Sequence, residues 1–108
     1  MIEQLTPHQA HELIQRGELD VVDVREPSEW TGGHVPGARH VPLAQLRANP
    51  GATLPRDRVL FVCAAGVRSQ TAARIAEGLG FTCLYNLSGG TRGWVSAGLP
   101  VVHDASAA

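Results

Sequence analysis

The spacing of apolar and polar residues predicts short strands that alternate with helices. Strands that are buried on both faces are apolar at nearly every position and rich in β-branched residues. Segments with this pattern lie at residues 19–24 (LDVVDV), 39–43 (RHVPL), 58–62 (RVLFV) and 81–87 (FTCLYNL). Pro42 favours an edge position for the second segment, because proline has no N–H to donate to a neighbouring strand.

Helical patterns occupy the intervals between these strands. Thr6, Pro7 and Gln9 form a capping-box sequence, which predicts a helix that ends at Gly17. Three further segments have helical spacing or short helical turns, at 28–31, 69–79 and 92–97, and residues 44–57 combine a short helix with a surface loop. Alternation of this kind predicts an α/β fold, a parallel sheet with helices on both faces.

Length, composition and charge narrow the function classes. The chain has 108 residues, 44% of them hydrophobic, and a formal net charge of -1. We expect one domain at residues 1–103 with a short polar tail at 104–108, and a monomer. The sequence contains neither a basic run nor an apolar run of about 20 residues, so we expect no nucleic-acid or membrane partner. Two cysteines outside a CxxC pair and no signal-peptide pattern favour a reduced, cytoplasmic protein.

Cys63 ends the most apolar predicted strand and is followed at once by a predicted helix. Functional sites of parallel sheets lie beyond the carboxyl ends of the strands. Backbone N–H groups in such a strand-to-helix connection can converge on an anion. A thiol in this setting can have its pKa lowered from about 8.5 to roughly 3.5–7.5. We therefore predict that Cys63 is a nucleophile, whereas Cys83 fits a small hydrophobic residue of the core.

The residues after Cys63 suit a cradle made of backbone. Gly66 permits tight backbone angles, Arg68 supplies one fixed positive charge, and Ser69 is predicted to cap the following helix. The remaining residues of the connection have no polar side-chain group: Ala64, Ala65 and Val67.

Three segments together resemble the signatures of single-domain rhodanese-like sulfurtransferases. They are DVREPSEWTGGHVPGARHVPL (23–43), CAAGVRS (63–69) and LSGGTRGWVSAGLPV (87–101), and the resemblance covers residues 3 to 102. It implies a small α/β domain with a five-stranded parallel sheet. It also implies that Cys63 accepts a sulfane sulfur from a donor such as thiosulfate and passes it from a persulfide to cyanide or a thiol.

The resemblance assigns roles to the loop residues. Cys63 is the expected nucleophile, the N–H groups from Ala64 to Ser69 form the cradle, and Arg68 orients the loop or the incoming anion. Such a double displacement needs no metal and no cofactor. The expected partners are a small sulfur donor and acceptor, or a protein that carries a persulfide. Many family members have a basic or polar residue where this chain has Ala64, which favours a persulfide over dianionic thiosulfate as the donor.

Two alternatives come from other function classes. A phosphatase or arsenate reductase on the same fold has five residues between its cysteine and arginine, whereas four residues separate Cys63 from Arg68. The shorter loop favours a cradle for one sulfur atom over one for a phosphate group. A catalytically silent binding or regulatory module is the second alternative, and the presence of Cys63 argues against it.

Several residues outside the loop have two possible roles. Asp23 and Arg25 end their strand at the same rim as Cys63, so Asp23 either braces the loop, for example by pairing with Arg68, or forms an ordinary ion pair. Glu29 is interpreted as a packing residue. Other residues are assigned as follows: Trp30 and Trp94 pack against the core, His34 locks a turn, His8 and His11 are exposed, and Arg92 is a candidate for the rim opposite Cys63.

Overall fold

The computed structural model describes residues 2–54 and 57–103. The predicted tail at 104–108 and two residues of the predicted 44–57 loop lie outside the described residues. Within the described residues the chain forms five strands, β1 (Ile2–Leu5), β2 (Asp20–Asp23), β3 (Arg39–His40), β4 (Val59–Val62) and β5 (Leu84–Leu87). The helices there are α1 (Pro7–Gln15), α2 (Pro27–Thr31), α3 (Leu43–Ala48), α4 (Pro50–Thr53), α5 (Arg68–Gly78) and α6 (Gly90–Ser96).

All neighbouring strands of the sheet are parallel, and their order is β1-β5-β4-β2-β3. This arrangement confirms the predicted α/β class and the edge position of β3. The strand ends at His40, however, so Pro42 lies outside it, at the N-cap position of α3. The strand β1 was not predicted from its pattern. It pairs with β5 from Ile2 opposite Leu84 to Leu5 opposite Leu87, and Leu5 is its buried residue.

Two apolar clusters cover the two faces of the sheet, as the alternation of elements predicted. On one face Leu46, Ala72 and Ala76 pack against strand residues such as Phe61. On the other face Ala10 of α1 and Trp94 of α6 pack against residues such as Leu60. The central strand β4 is buried along its whole length. Cys63 therefore follows a strand that is fixed from both sides.

Two local predictions need correction. Cys83 precedes β5 and is partly exposed, with its Sγ 3.5 Å from the Tyr85 hydroxyl, so it does not belong to the core. The helix α5 begins at Arg68 and has Val67 at its N-cap position, so Ser69 lies inside the helix and does not cap it. The capping box of Thr6 and Gln9 is present as predicted.

None of the helices in the described ranges is both long enough and apolar enough to cross a lipid bilayer.

Candidate active site

Cys63 begins the connection from β4 to α5, and residues 63–67 are called the Cys63 loop below. The cysteine is only 1% exposed. The Gly66 N–H donates a hydrogen bond to Cys63 Sγ at 3.0 Å, and the Ser69 hydroxyl oxygen lies 3.3 Å from the same sulfur. Gly66 has a φ of 97°, and a Cβ there would lie 3.2 Å from the Gly89 nitrogen. A glycine is thus required where the loop turns its N–H toward the sulfur.

The surroundings of Cys63 favour its thiolate. Burial raises the pKa of the Cys63 thiol, but the Ser69 hydroxyl lowers it. Backbone N–H groups of Ser69, Ala65 and Gly66 lower it further, so that the pKa of Cys63 lies below its ordinary value. Hydrogen bonds to the charged form stabilise that form. Of the six predicted cradle residues, Gly66 donates its N–H to the sulfur, and the N–H groups of Ala65 and Ser69 contribute to the lowered pKa of Cys63.

The start of α6 is fastened to the Cys63 loop by backbone hydrogen bonds. The Thr91 N–H donates to the Cys63 carbonyl oxygen at 2.8 Å, and the Arg92 N–H donates to the Ala64 carbonyl oxygen at 3.0 Å. Gly90 makes this approach possible, because a Cβ on Gly90 would lie within 2.6 Å of the Cys63 and Ala64 carbonyl oxygens. Gly90 therefore allows a tight connection from β5 to α6.

A surface groove of about 560 Å³ runs past the loop, and we call it the site groove. It is lined by Arg25 and by residues of α2, the Cys63 loop and α6, among them Glu29, Ala64, Arg92 and Val95. Arg92 thus lies at the rim of the groove, as the sequence suggested. Arg92 is exposed, and its side chain has no carboxylate partner in the part of the chain that the structure describes.

Comparison with known proteins places this geometry in a family. The family model described as a rhodanese-like domain matches residues 6–97. The chain belongs to the rhodanese-like domain family. A solved relative, the rhodanese-related protein of Thermoplasma volcanium, is 30% identical and superposes with a TM-score of 0.84, covering 94% of this chain and 99% of its own.

Among curated relatives, thiosulfate sulfurtransferase GlpE of Pseudomonas putida is 36% identical over 94 residues, which are 84% of this chain and 83% of GlpE. The Bacillus subtilis protein YqhL is 42% identical over 77 residues, which are 71% of this chain. The chain spans 61% of the length of YqhL, and 41% and 24% of two other relatives. Several relatives of this rhodanese-like domain are therefore longer proteins.

The partner of Arg68 in this rhodanese-like domain is Glu29, and not Asp23. The two Arg68 terminal nitrogens contact the two Glu29 carboxylate oxygens at 2.8 and 2.9 Å. The Arg68 hydrogen bond lowers the pKa of Glu29 to about 2. The interpretation of Glu29 as a packing residue was wrong, since its carboxylate ties α2 to the first residue of α5. Asp23 does not pair with Arg68, so this way of bracing the loop is not present.

Asp23 and Arg25 form a buried ion pair with each other, the second possibility that the sequence left open. The Arg25 guanidinium donates to Asp23 Oδ2 at 2.9 Å and to the Gly33 carbonyl oxygen at 2.8 Å. Both charged side chains are almost completely buried. The pair therefore fixes the segment after β2 beneath the site groove, and Arg25 lines that groove.

The tryptophan and histidine predictions are largely confirmed. Trp30 is buried and stacks on His34 with ring centroids 3.4 Å apart. His34 Nδ1 lies 3.1 Å from the Trp30 carbonyl oxygen, and its backbone pairs with Val102, so His34 locks the turn as expected. His8 is exposed, whereas His11 is partly buried, with its ring edge-on to Trp94.

Asn86 is a site residue that the sequence analysis missed. It lies on β5, is 2% exposed, and accepts a hydrogen bond from the Ser69 hydroxyl through Oδ1. Its Nδ2 donates to Gln4 Oε1 at 2.8 Å and to the Gly66 carbonyl oxygen at 3.3 Å. A polar residue between Tyr85 and Leu87 in a strand expected to be buried on both faces was the signal available in the sequence.

Proposed function

We propose that this protein is a sulfurtransferase, which moves a sulfane sulfur from thiosulfate or a persulfide donor to cyanide or a thiol acceptor. The observation that supports this most strongly is the environment of Cys63. Its sulfur is buried at the carboxyl end of the central strand and accepts a hydrogen bond from the Gly66 N–H, and its pKa is lowered. These are the properties of a thiolate nucleophile that needs no separate base. The name of the relative GlpE agrees with this activity.

The reaction has two displacements. The Cys63 thiolate attacks the outer sulfur of thiosulfate, a new S–S bond forms, and the S–S bond of thiosulfate breaks with its electron pair leaving on sulfite. Cyanide or a thiolate then attacks the terminal sulfur of the Cys63 persulfide. That S–S bond breaks, the electron pair returns to Cys63, and the product is thiocyanate or a new persulfide. The enzyme is regenerated as the thiolate.

The role of the loop is to stabilise a small anion. Residues 64–69 supply the N–H groups, of which that of Gly66 donates to the sulfur, while those of Ala65 and Ser69 help to lower the pKa of Cys63. Because four residues separate Cys63 from Arg68, the ring of donors is smaller than the one that a phosphate group needs. The Arg68 guanidinium is held by Glu29 on α2, so its role is to orient the loop. This geometry favours sulfur transfer over phosphate hydrolysis.

The site groove is the route by which we expect donor and acceptor to arrive. Arg92 is hydrogen-bonded through its backbone to Ala64, the position that lacks a basic side chain. Its guanidinium at the rim, which has no carboxylate partner among the described residues, is suited to bind an anionic donor, either thiosulfate or a persulfide with a carboxylate. We propose the same partners for the whole reaction: a small sulfur donor and acceptor or a persulfide-carrying protein. A reducing compartment such as the cytoplasm suits a catalytic thiol.

An assay of thiocyanate formation from thiosulfate and cyanide tests the proposal. Replacing Cys63 by serine should abolish turnover, whereas Cys83→Ser is the matched control and should retain it. Folding of both variants is checked by circular dichroism. Full turnover in Cys63→Ser would show that the nucleophile is wrongly assigned. A folded wild-type protein that is inactive with thiosulfate and with low-molecular-weight persulfides would favour the silent binding module.

A further inference from the structure

The side-chain amide of Asn86 contacts the Ser69 hydroxyl, which lies beside the Cys63 sulfur. The chain of contacts runs from Cys63 Sγ to Ser69 Oγ at 3.3 Å, and from the Ser69 hydroxyl to Asn86 Oδ1. It continues from Asn86 Nδ2 to Gln4 Oε1, and from Gln4 Nε2 to Gln70 Oε1 at 3.1 Å. Ser69 and Asn86 are both buried. Sulfur transfer by itself does not explain why a buried amide is placed here.

The orientation of the Asn86 amide is determined by its second contact. The Gly66 carbonyl oxygen, 3.3 Å away, can only accept a hydrogen bond, so the Asn86 atom facing it must be Nδ2. Oδ1 therefore faces Ser69, and since Oδ1 has no proton, Ser69 must be the donor. A serine hydroxyl has a single proton. In this arrangement Ser69 presents only lone pairs to the Cys63 sulfur.

With its proton on the Asn86 side, Ser69 suits the thiol better than the thiolate, although the Gly66 N–H still favours the thiolate. Ser69 lowers the pKa of Cys63 only when its proton turns to the sulfur. A Cys63 S–H can donate to the Ser69 oxygen while Ser69 donates to Asn86. When Cys63 ionises, the hydroxyl proton either stays on the Asn86 side, with lone pairs facing a negative sulfur, or turns to the sulfur. In the second case Oδ1 of a residue that is 2% exposed loses its donor. A buried acceptor left without a donor is unfavourable.

In the persulfide, Cys63 Sγ and Asn86 Oδ1 no longer compete for the Ser69 proton. In Cys63–S–S⁻ the charge lies on the terminal sulfur, and Sγ is a neutral atom bonded to carbon and sulfur. Ser69 can then return its proton to Asn86 while backbone N–H groups hold the terminal anion. We propose that Asn86 is a positioning residue that competes with the Cys63 sulfur for the single proton of Ser69, and thereby destabilises the free thiolate relative to the persulfide. The competition for the proton is independent of the proposed function, whereas its consequence for sulfur loading rests on that function.

Other charges near Cys63 remain constant in the test below. Arg68 at the start of α5 interacts electrostatically with Cys63. At the same end of the sheet, Arg92 lies on α6, and the Asp23–Arg25 pair lies at the end of β2. Replacing Asn86 by leucine changes none of these charged side chains.

The test is the pH dependence of Cys63 alkylation by iodoacetamide, in a Cys83→Ser background so that one thiol is followed. Asn86→Leu frees the Ser69 proton for the sulfur, so the midpoint should fall by about one pH unit, the effect of one hydrogen bond to a charged group. In a Ser69→Ala background, Asn86→Leu should leave the midpoint unchanged. A midpoint that stays constant or rises in Asn86→Leu would overturn the proposal. Equal shifts with and without Ser69 would do so as well, since they would indicate a general structural effect.

A second measurement uses the unmutated protein and does not depend on whether Asn86→Leu folds. The side-chain amide signals of Asn86 in ¹⁵N–¹H NMR spectra should shift with the Cys63 midpoint as the pH rises. They should return toward the low-pH position when the persulfide forms. Signals that stay constant through the Cys63 titration would contradict the proposal. If they titrate as expected but no donor yields a persulfide, the proton competition stands and the proposed function fails.

Discussion

Arg68 and Glu29 are 39 residues apart in the sequence, and their side chains form a two-point ion pair across the site. The pair joins the first residue of α5, directly after the Cys63 loop, to the short helix α2. Arginine–carboxylate pairs with two parallel contacts are geometrically specific. The pair therefore sets the position of the loop relative to the groove wall.

Replacing Glu29 by glutamine should loosen this attachment. Because both side chains are about one-third exposed, the loss of unfolding free energy should not exceed about 1 kcal/mol, while sulfur transfer falls several-fold. Chemical denaturation and a transfer assay measure the two effects. The control is Glu12→Gln, which removes an exposed pair with Arg16 on α1 and should leave transfer unchanged. If Glu29→Gln and Glu12→Gln transferred sulfur equally well, the Arg68–Glu29 pair would not be needed to position the Cys63 loop.

Gly90 should be intolerant of any side chain. Gly90→Ala places a Cβ against the Cys63 and Ala64 carbonyl oxygens, so the loop and α6 must separate. Gly98 is the matched control, because it also has a positive φ but no atom within 4 Å of the added Cβ. Gly98→Ala should cost about 1 kcal/mol for the backbone conformation alone.

The cost of Gly90→Ala should be several times larger than that of Gly98→Ala, and Cys63 alkylation at neutral pH should change with it. Thermal denaturation and alkylation rates measure the two effects. Similar stabilities for the two variants would show that the contact between α6 and the loop is not required.

Asp57 should stabilise the fold without affecting the site. Its carboxylate accepts hydrogen bonds from the N–H groups of Thr82, Cys83 and Arg58, and backbone hydrogen bonding from Thr82 is the main cause that lowers the pKa of Asp57 to about 2. Because the Asp57 carboxylate is solvent-accessible, Asp57→Asn should lower the unfolding free energy by about 1 kcal/mol at neutral pH. Cys63 alkylation should be unchanged, because Cys63 lies at the opposite end of β4.

The pH dependence of this difference has a defined sign. The folded pKa of Asp57 is depressed relative to an unfolded value of about 3.9. The stabilisation is therefore fully present above pH 4 and is lost as the pH falls through about 2. The unfolding free energies of wild type and Asp57→Asn should therefore converge as the pH falls from about 4 to about 2. A difference that persists unchanged to pH 2 would mean that the charge of Asp57 does not contribute.

Arg92 should determine the use of anionic donors. Arg92→Gln should raise KM for thiosulfate about tenfold, the loss of one charge-assisted hydrogen bond, and should have little effect with an uncharged alkyl persulfide. Adding Ala64→Arg to this variant should restore thiosulfate use, because Ala64 and Arg92 are adjacent in the site groove. Equal losses with both donors would indicate a structural role for Arg92. Failure of Ala64→Arg to improve thiosulfate use would show that a charge at that position does not matter.

The sequence predicted best those features of the site whose residues lie close together along the chain. The strand end, the cysteine, the glycine and the helix start lie within residues 59–69, so the loop could be located without knowing the sheet order. The contacts that were missed join distant segments. Pairing of Glu29 with Arg68, and of Ser69 with Asn86, depends on which strands and helices become neighbours, and several acceptors and cations were equally available in the sequence.

The strand β1 was missed for a different reason. It lies at an edge, its central residues Glu3 and Gln4 are exposed and polar, and Leu5 is its buried residue, so its pattern is too weak to distinguish from a loop. Yet Gln4 contacts the Asn86 amide, which makes this edge strand part of the site. Ser69 was assigned as a cap because Ser is common there. The helix α5 begins at Arg68, so Ser69 lies inside it and its hydroxyl faces the Cys63 sulfur.

The central claim is that Cys63 takes up a sulfur atom, and intact-protein mass spectrometry tests it most directly. Wild type, Cys63→Ser and Cys83→Ser are incubated separately with thiosulfate and with a low-molecular-weight persulfide. Wild type and Cys83→Ser should gain the mass of one sulfur atom with at least one donor, and cyanide should remove it. Cys63→Ser should gain none. A wild-type protein that gains no sulfur from either donor, or a Cys63→Ser variant that gains as much as wild type, would contradict the account.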